Sequence, residues 1–147
     1  MDIKVKTILL VGVGNELRAD DGLGIKFVED FKYDQIEKIV INYPDFDLID
    51  KIVKFDMVIF VDASLDVECF SFEKMESVEK LSSFSHHISL KNIFSLAKYY
   101  NSNLEGYILK IRGYDFSWKN ELSSECIKNM NKAIEFLKNF IDRKIKL

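Results

Sequence analysis

Apolar positions along this chain of 147 residues follow two alternating periods, which predict alternating strands and helices. Continuous or β-branched apolar runs predict strands at residues 4–12, 38–42, 56–63 and 107–111, with a further edge strand at 69–75. Helical spacing predicts helices at 22–31, 46–54 and 90–100 and a long final helix. Ser123 is the expected N-cap of that last helix, whose apolar stripe is Ile127, Met130, Ile134, Leu137 and Ile141.

This alternation is typical of an α/β fold with a largely parallel sheet, and the length suits one domain, residues 1–147. In such sheets, sites form where the carboxyl ends of the strands meet. The first strand and the strand at 56–63 both end at that edge. The residues that follow them are therefore the first places to look for chemistry.

Composition narrows the class of protein. The chain is 48% hydrophobic and 31% charged, with a net charge of −3 and a pI near 5.5, so we expect a packed core and no nucleic-acid partner. Cys69 and Cys126 are far apart and are expected to be reduced thiols of a cytoplasmic protein. The apolar run near the amino terminus favours a first strand over a signal peptide, and no run suits a bilayer.

The stretch VGVGNELRADDGLG, residues 11–24, places a glycine turn directly after the first strand. A dinucleotide fingerprint would need a third glycine where Leu17 stands, and the carboxylates of Asp20 and Asp21 would repel a pyrophosphate. Nucleotide binding is therefore disfavoured. The simplest structural interpretation is a tight turn in which Asp21 caps the next helix.

Further polar residues extend the same edge. Asp62 ends an apolar strand, where a charge is costly unless it has a partner, although it could instead face solvent or cap a turn. The two histidines, His86 and His87, are adjacent in a polar loop before the helix at 90–100. Two carboxylates and an imidazole suit an ion such as zinc or nickel. Sequence spacing leaves open whether these groups converge.

These motifs resemble those of a known family. GVGNELRADDGLG is similar to the amino-terminal signature of the hydrogenase maturation proteases: Gly-x-Gly-Asn, four residues, two acids, then Gly-x-Gly. VIFVDAS is similar to the family's strand ending in aspartate, and SSFSHHISLKNIFSLA to its Ser/Thr-x-His loop before an apolar helix. The three motifs appear in the family's order and at similar separations.

The resemblance implies an endopeptidase, of aspartyl type, that removes the carboxyl-terminal extension of a [NiFe]-hydrogenase large-subunit precursor after nickel insertion. It implies that Asp21, Asp62 and His87 bind the metal and act in catalysis, whereas Asp20 orders the loop or the helix start. It also implies nickel supplied by the substrate and no organic cofactor. A monomer is the default expectation. The fold expected from it is a three-layer α/β/α sandwich around a twisted sheet, of the phosphorylase/hydrolase-like kind.

The chain departs from the family at one loop. An Asp-Gly-Gly-Thr-like loop often follows the family's second strand, whereas residues 42–46 here are Asn-Tyr-Pro-Asp-Phe. This change favours an alternative, a non-catalytic nickel-sensing maturation chaperone or subunit of the same fold. No Ser-His-Asp, Cys-His or HExxH pattern is visible, so a peptidase of this sequence would use water activated by a metal or by Asp21 or Asp62.

Overall fold

The computed structural model describes residues 7–77 and 88–145. Over these ranges five strands form one sheet in the order β2-β1-β3-β5-β4. The strands are β1 (Ile8–Val13), β2 (Glu37–Ile41), β3 (Met57–Ser64), β4 (Phe70–Lys74) and β5 (Glu105–Arg112). The first four in that order run parallel, and β4 pairs with β5 in the antiparallel sense as an edge strand.

Helices cover both faces of the sheet. They are α1 (Leu23–Asp30), α2 (Asp47–Ile52), α3 (Leu90–Tyr100) and α4 (Ser124–Ile145). Helices α1 and α4 pack on one face around Leu10, Ile59 and Leu109, and α2 and α3 pack on the other face around Val11 and Phe60. The predicted α/β/α sandwich with a mostly parallel sheet is therefore confirmed.

The final helix begins as the sequence predicts, because the Cys126 amide donates to the Ser123 hydroxyl at 3.3 Å. Its predicted apolar stripe is wrong at Ile127, whose side chain is 40% exposed. Cys126 and Ala133 are buried instead. The buried face at the start of α4 is therefore shifted by about one residue from the predicted stripe.

The chain order of the strands reverses beside β1. From β1 the sheet grows to β2 on one side and to β3 on the other. The loops after β1 and β3 therefore lead to opposite sides of the sheet, and the crevice expected between them at the carboxyl ends of these strands is the usual place for a site in an open α/β sheet. Within the described residues, no helix is long and apolar enough to span a membrane.

Candidate active site

The glycine turn after β1 lets the chain fold back closely over the sheet. Gly14 has a φ of 152°, and a side chain there would collide with the backbone carbonyl of Asp21. A Cβ on Gly24 would lie 2.5 Å from the carbonyl oxygens of both Val13 and Val61. These positions require glycine because the start of α1 lies directly on the ends of β1 and β3.

Asn15 closes the loop that carries the acids. Its amide hydrogen bonds to the backbone oxygen and to Oδ2 of Asp21, at 3.2 Å each. Its side-chain Oδ1 accepts from the Leu17 amide at 2.9 Å. Asp21 is thereby fixed at the crevice with one carboxylate oxygen engaged. No hydrogen bond from the described residues reaches the other oxygen.

The two consecutive acids, Asp20 and Asp21, point in different directions. The fully buried carboxylate of Asp20 accepts hydrogen bonds from the amides of Tyr114, Asp115 and Ser123 at 2.7, 2.9 and 2.7 Å, and one from the Ser123 hydroxyl at 2.7 Å. Burial raises the pKa of Asp20, but these hydrogen bonds outweigh it and bring the pKa below the ordinary 3.8. Asp20 therefore orders the loop after β5.

Ala19, the residue before Asp20, has an uncommon backbone conformation. Ala19 has a φ of 49°, in the left-handed region that costs a residue with a Cβ on the order of 1 kcal/mol. Its amide donates to the Lys119 carbonyl at 2.7 Å. A short 3-10 helix, Ala19–Gly22, follows directly. Contacts with the loop after β5 thus fix the turn that contains Asp20 and Asp21.

Asp62 lies on β3 at the other side of the crevice. The strand was predicted at residues 56–63, and it extends to Ser64 because β3 goes on pairing with β5 after its pairing with β1 has stopped. The carboxylate Oδ1 accepts from the Ala63 amide at 2.9 Å. Asp62 is therefore held by regular strand structure and does not cap a remote turn.

The charges of Asp21 and Asp62 influence each other. The pKa of Asp62 is raised to about 7, and burial is the largest cause. The Asp21 charge also raises this pKa, whereas the hydrogen bond from the Ala63 amide and the Lys110 charge lower it. A carboxyl group that exchanges its proton near neutral pH is suited to acid–base chemistry or to binding a cation that displaces the proton. Lys110 has no signal of this role in the sequence, because its place beside Asp62 depends on strand register.

His86 and His87 lie outside the described residues. Within residues 7–77 and 88–145, no group of three or more His, Cys, Asp or Glu side chains could hold a metal ion. Asp21 and Asp62 are the two members of the predicted ligand set that the structure places, and it brings them to the same crevice. The ligand role of all three residues stays a prediction.

The loop after β2 borders this crevice. The Gly14 amide donates to the Ile41 carbonyl at 3.1 Å, which ties the glycine turn to the end of β2. In the loop that follows, the side chains of Tyr43 and Phe46 are 68% and 65% exposed. The residues that depart from the family pattern therefore present exposed aromatic side chains in the loop that follows this end of β2.

Comparison with known proteins agrees with this arrangement, although no protein-family model matches the chain. A Methanocaldococcus jannaschii protein assigned as a hydrogenase maturation protease is 30% identical over 159 aligned positions, covering 92% of this chain and 96% of the relative.

The solved structures support the fold. The hydrogenase maturating endopeptidase HybD from E. coli matches with a TM-score of 0.75 at 18% identity, covering 93% of each chain. The [NiFe] hydrogenase maturation protease HycI from Thermococcus kodakarensis matches with a TM-score of 0.70 at 20% identity, covering 92% of each chain. On the strength of the near full-length sequence relative, with the fold in agreement, this chain belongs to the hydrogenase maturation proteases, a family of peptidases.

Proposed function

We propose that this protein is the endopeptidase that removes the carboxyl-terminal extension of a [NiFe]-hydrogenase large-subunit precursor once nickel is in place. The main observation behind the proposal is that Asp21 and Asp62 lie near each other at the carboxyl ends of β1 and β3. There the Asp21 charge helps to raise the pKa of Asp62 to about 7. Family membership supplies the reaction class. The acid pair supplies groups that could perform it.

Nickel enters this proposal as part of the substrate. One oxygen of Asp21 has no hydrogen bond from the described residues, and Asp62 uses one oxygen for the Ala63 amide. Each carboxylate therefore retains an oxygen for a divalent ion, and His87 would add an imidazole nitrogen. Such a mixed oxygen and nitrogen set suits nickel, and it would let the enzyme detect a precursor that has received its metal.

Hydrolysis would use water and the acid pair. Water attacks the scissile carbonyl carbon, the carbonyl π electrons move to oxygen, and a carboxylate of the pair takes the water proton. Collapse of this intermediate breaks the carbon–nitrogen bond, and the same carboxyl group returns the proton to the leaving amine. A carboxyl group with a pKa of about 7, as Asp62 has in the protein without metal, suits both halves of this exchange at neutral pH, and the carboxylate that performs it would be one that nickel leaves free.

The test is incubation of the purified protein with large-subunit precursor in nickel-loaded and nickel-free forms, read by intact mass. We expect the loaded precursor to lose the mass of its carboxyl-terminal extension and the nickel-free precursor to stay intact. Equal cleavage of both forms would contradict nickel recognition. Cleavage of neither form would contradict the peptidase proposal.

The loop at residues 42–46 favours a second candidate, a nickel-sensing maturation chaperone or subunit without peptidase activity. Exposed Tyr43 and Phe46 could bind a protein partner while the acid pair only contacts its metal. The same incubation separates the two candidates when complex formation is measured alongside mass. A stable complex with the loaded precursor, without any shortening, is the result expected of the chaperone.

A further inference from the structure

Lys110 occupies the position beside Asp62 on the neighbouring strand. Parallel pairing of β3 with β5 sets Asp62 opposite Lys110, and adjacent strands are about 4.8 Å apart. Side chains alternate along each strand: Phe60 and Ile108 pack on the face of α2 and α3, and Leu109 and Ile111 pack on the other. Asp62 and Lys110 therefore share the α2 and α3 face at the carboxyl edge of the sheet.

The ammonium group of Lys110 has no ion-pair partner among residues 7–77 and 88–145. On its other side, β4 places Ser71 opposite it, a neutral residue whose buried hydroxyl makes no hydrogen bond within the described part of the chain. The lysine is half-buried, so its charge is less screened than that of a surface lysine.

A hydrolytic site built from two carboxylates needs a nearby positive charge. Attack of water on a peptide carbonyl creates an oxyanion, and any charge of Asp21 and Asp62 that the substrate's nickel does not offset would repel it. When the carbon–nitrogen bond breaks, that oxygen becomes part of the new carboxylate of the product. A cation held beside the acid pair would stabilise both species.

We infer that Lys110 binds the oxygen of the scissile carbonyl as it becomes negative, and then the carboxylate of the shortened product. This role rests on the proposed function. The lysine transfers no proton: water supplies the new carbon–oxygen bond, the acid pair carries the proton to the leaving nitrogen, and Lys110 neutralises the charge left on oxygen. A point charge on a flexible stem can follow that oxygen from trigonal to tetrahedral geometry.

The first arm of the test measures cleavage of nickel-loaded precursor by Lys110→Gln, with Lys110→Arg and Lys74→Gln as comparisons. Lys74→Gln removes the same charge from the same sheet, but β4 pairs Lys74 with Tyr107, away from the acid pair. We expect Lys110→Gln to lower kcat by about 100-fold, in the range of a lost oxyanion donor, while KM changes less than about threefold. Lys110→Arg should recover most of the rate, and Lys74→Gln should match wild type. An unchanged kcat in Lys110→Gln, or a loss confined to KM, would overturn the inference.

The second arm needs no cleavage, so it separates this inference from the proposed function. Acetate, a minimal carboxylate, is titrated into the wild-type protein, and the side-chain methylene signals of lysines are followed by NMR. We expect saturable shifts at Lys110 that exceed those at Lys74. Such shifts in a protein that cleaves no precursor would support the anion site and contradict the peptidase proposal. Equal shifts at the two lysines would overturn the anion site.

Discussion

Asp20 and Ser123 lie 103 residues apart in the chain and are joined by two hydrogen bonds of 2.7 Å each. This contact fastens the acid-bearing turn after β1 to the start of α4. Asp21, the next residue, is left half-buried in the crevice. The first acid thus supports the fold, and the second is available for chemistry.

We predict that Asp20→Asn destabilises the protein. An amide at this position has one acceptor oxygen and turns its NH2 group toward amide donors, so buried donors lose their partners. The expected cost is about 2–4 kcal/mol, a fall in Tm of roughly 5–15 °C for a chain of this length. Thermal unfolding checks it, with Asp21→Asn as the matched control that stays within a few degrees of wild type.

The sign of the pH dependence follows from the lowered pKa of Asp20. Its contribution to stability is fully present above the unfolded pKa of about 3.9 and is lost as pH falls through the folded value. The difference in Tm between wild type and Asp20→Asn should therefore shrink in strong acid. A difference that stays constant from pH 7 to pH 2 would show that the carboxylate charge is not responsible.

A second prediction concerns the coupling of the acid pair. The Asp21 charge is one cause of the raised pKa of Asp62, so Asp21→Asn should lower the pKa of Asp62 below its value of about 7. NMR titration of the side-chain carboxyl carbons measures this directly. Asp66→Asn, which removes an exposed acid after the same strand, should leave the pKa of Asp62 unchanged. If the pKa of Asp62 were identical in all three proteins, the Asp21 charge would not influence Asp62.

A third prediction is that the charged form of Asp62 destabilises the folded protein. Because its folded pKa is raised, the stability associated with its protonated form is present below the unfolded pKa and is lost as pH rises through about 7. Asp62→Asn should therefore stabilise the protein by about 1 kcal/mol or more at pH 8 and less at pH 5. Denaturant unfolding at both pH values is the measurement. Destabilisation by Asp62→Asn at pH 8 would contradict the account of its burial.

A fourth prediction tests the third ligand. Nickel or cadmium added to the protein should bind with Asp21 and Asp62 as ligands, and binding should weaken below a pH of about 7 as Asp62 and then the histidine are protonated. Calorimetric titration of His87→Ala should show a large loss of affinity, and His86→Ala a small one. Equal losses in the two variants, or affinity independent of pH, would remove His87 from the ligand set.

Local patterns predicted most of the fold because each element carries its own periodicity. The strand at 57–61 is continuously apolar, and Ser123 caps α4 as its position suggests. The start of β5 was missed because Glu105 and Gly106 do not look like strand residues; Gly106 is needed where the Phe94 ring lies against the backbone.

The site was predictable only where a motif spans adjacent residues. The glycine turn and its acids form such a motif, so Asp21 could be singled out. The hydrogen bonds that occupy Asp20 come from residues at least 94 positions away, and the place of Lys110 beside Asp62 depends on strand register. Neither relationship leaves a local signal in the sequence.

The most direct test of the account compares wild type and Asp21→Asn on the same nickel-loaded precursor, with the shortened fraction followed by intact mass over time. The variant keeps an oxygen for the Asn15 amide, so its stability should stay within about 0.5 kcal/mol of wild type. We predict that wild type removes the carboxyl-terminal extension completely and that Asp21→Asn is slower by at least about 100-fold. Cleavage by Asp21→Asn at the wild-type rate would contradict the assignment of the crevice between β1 and β3 as the active site.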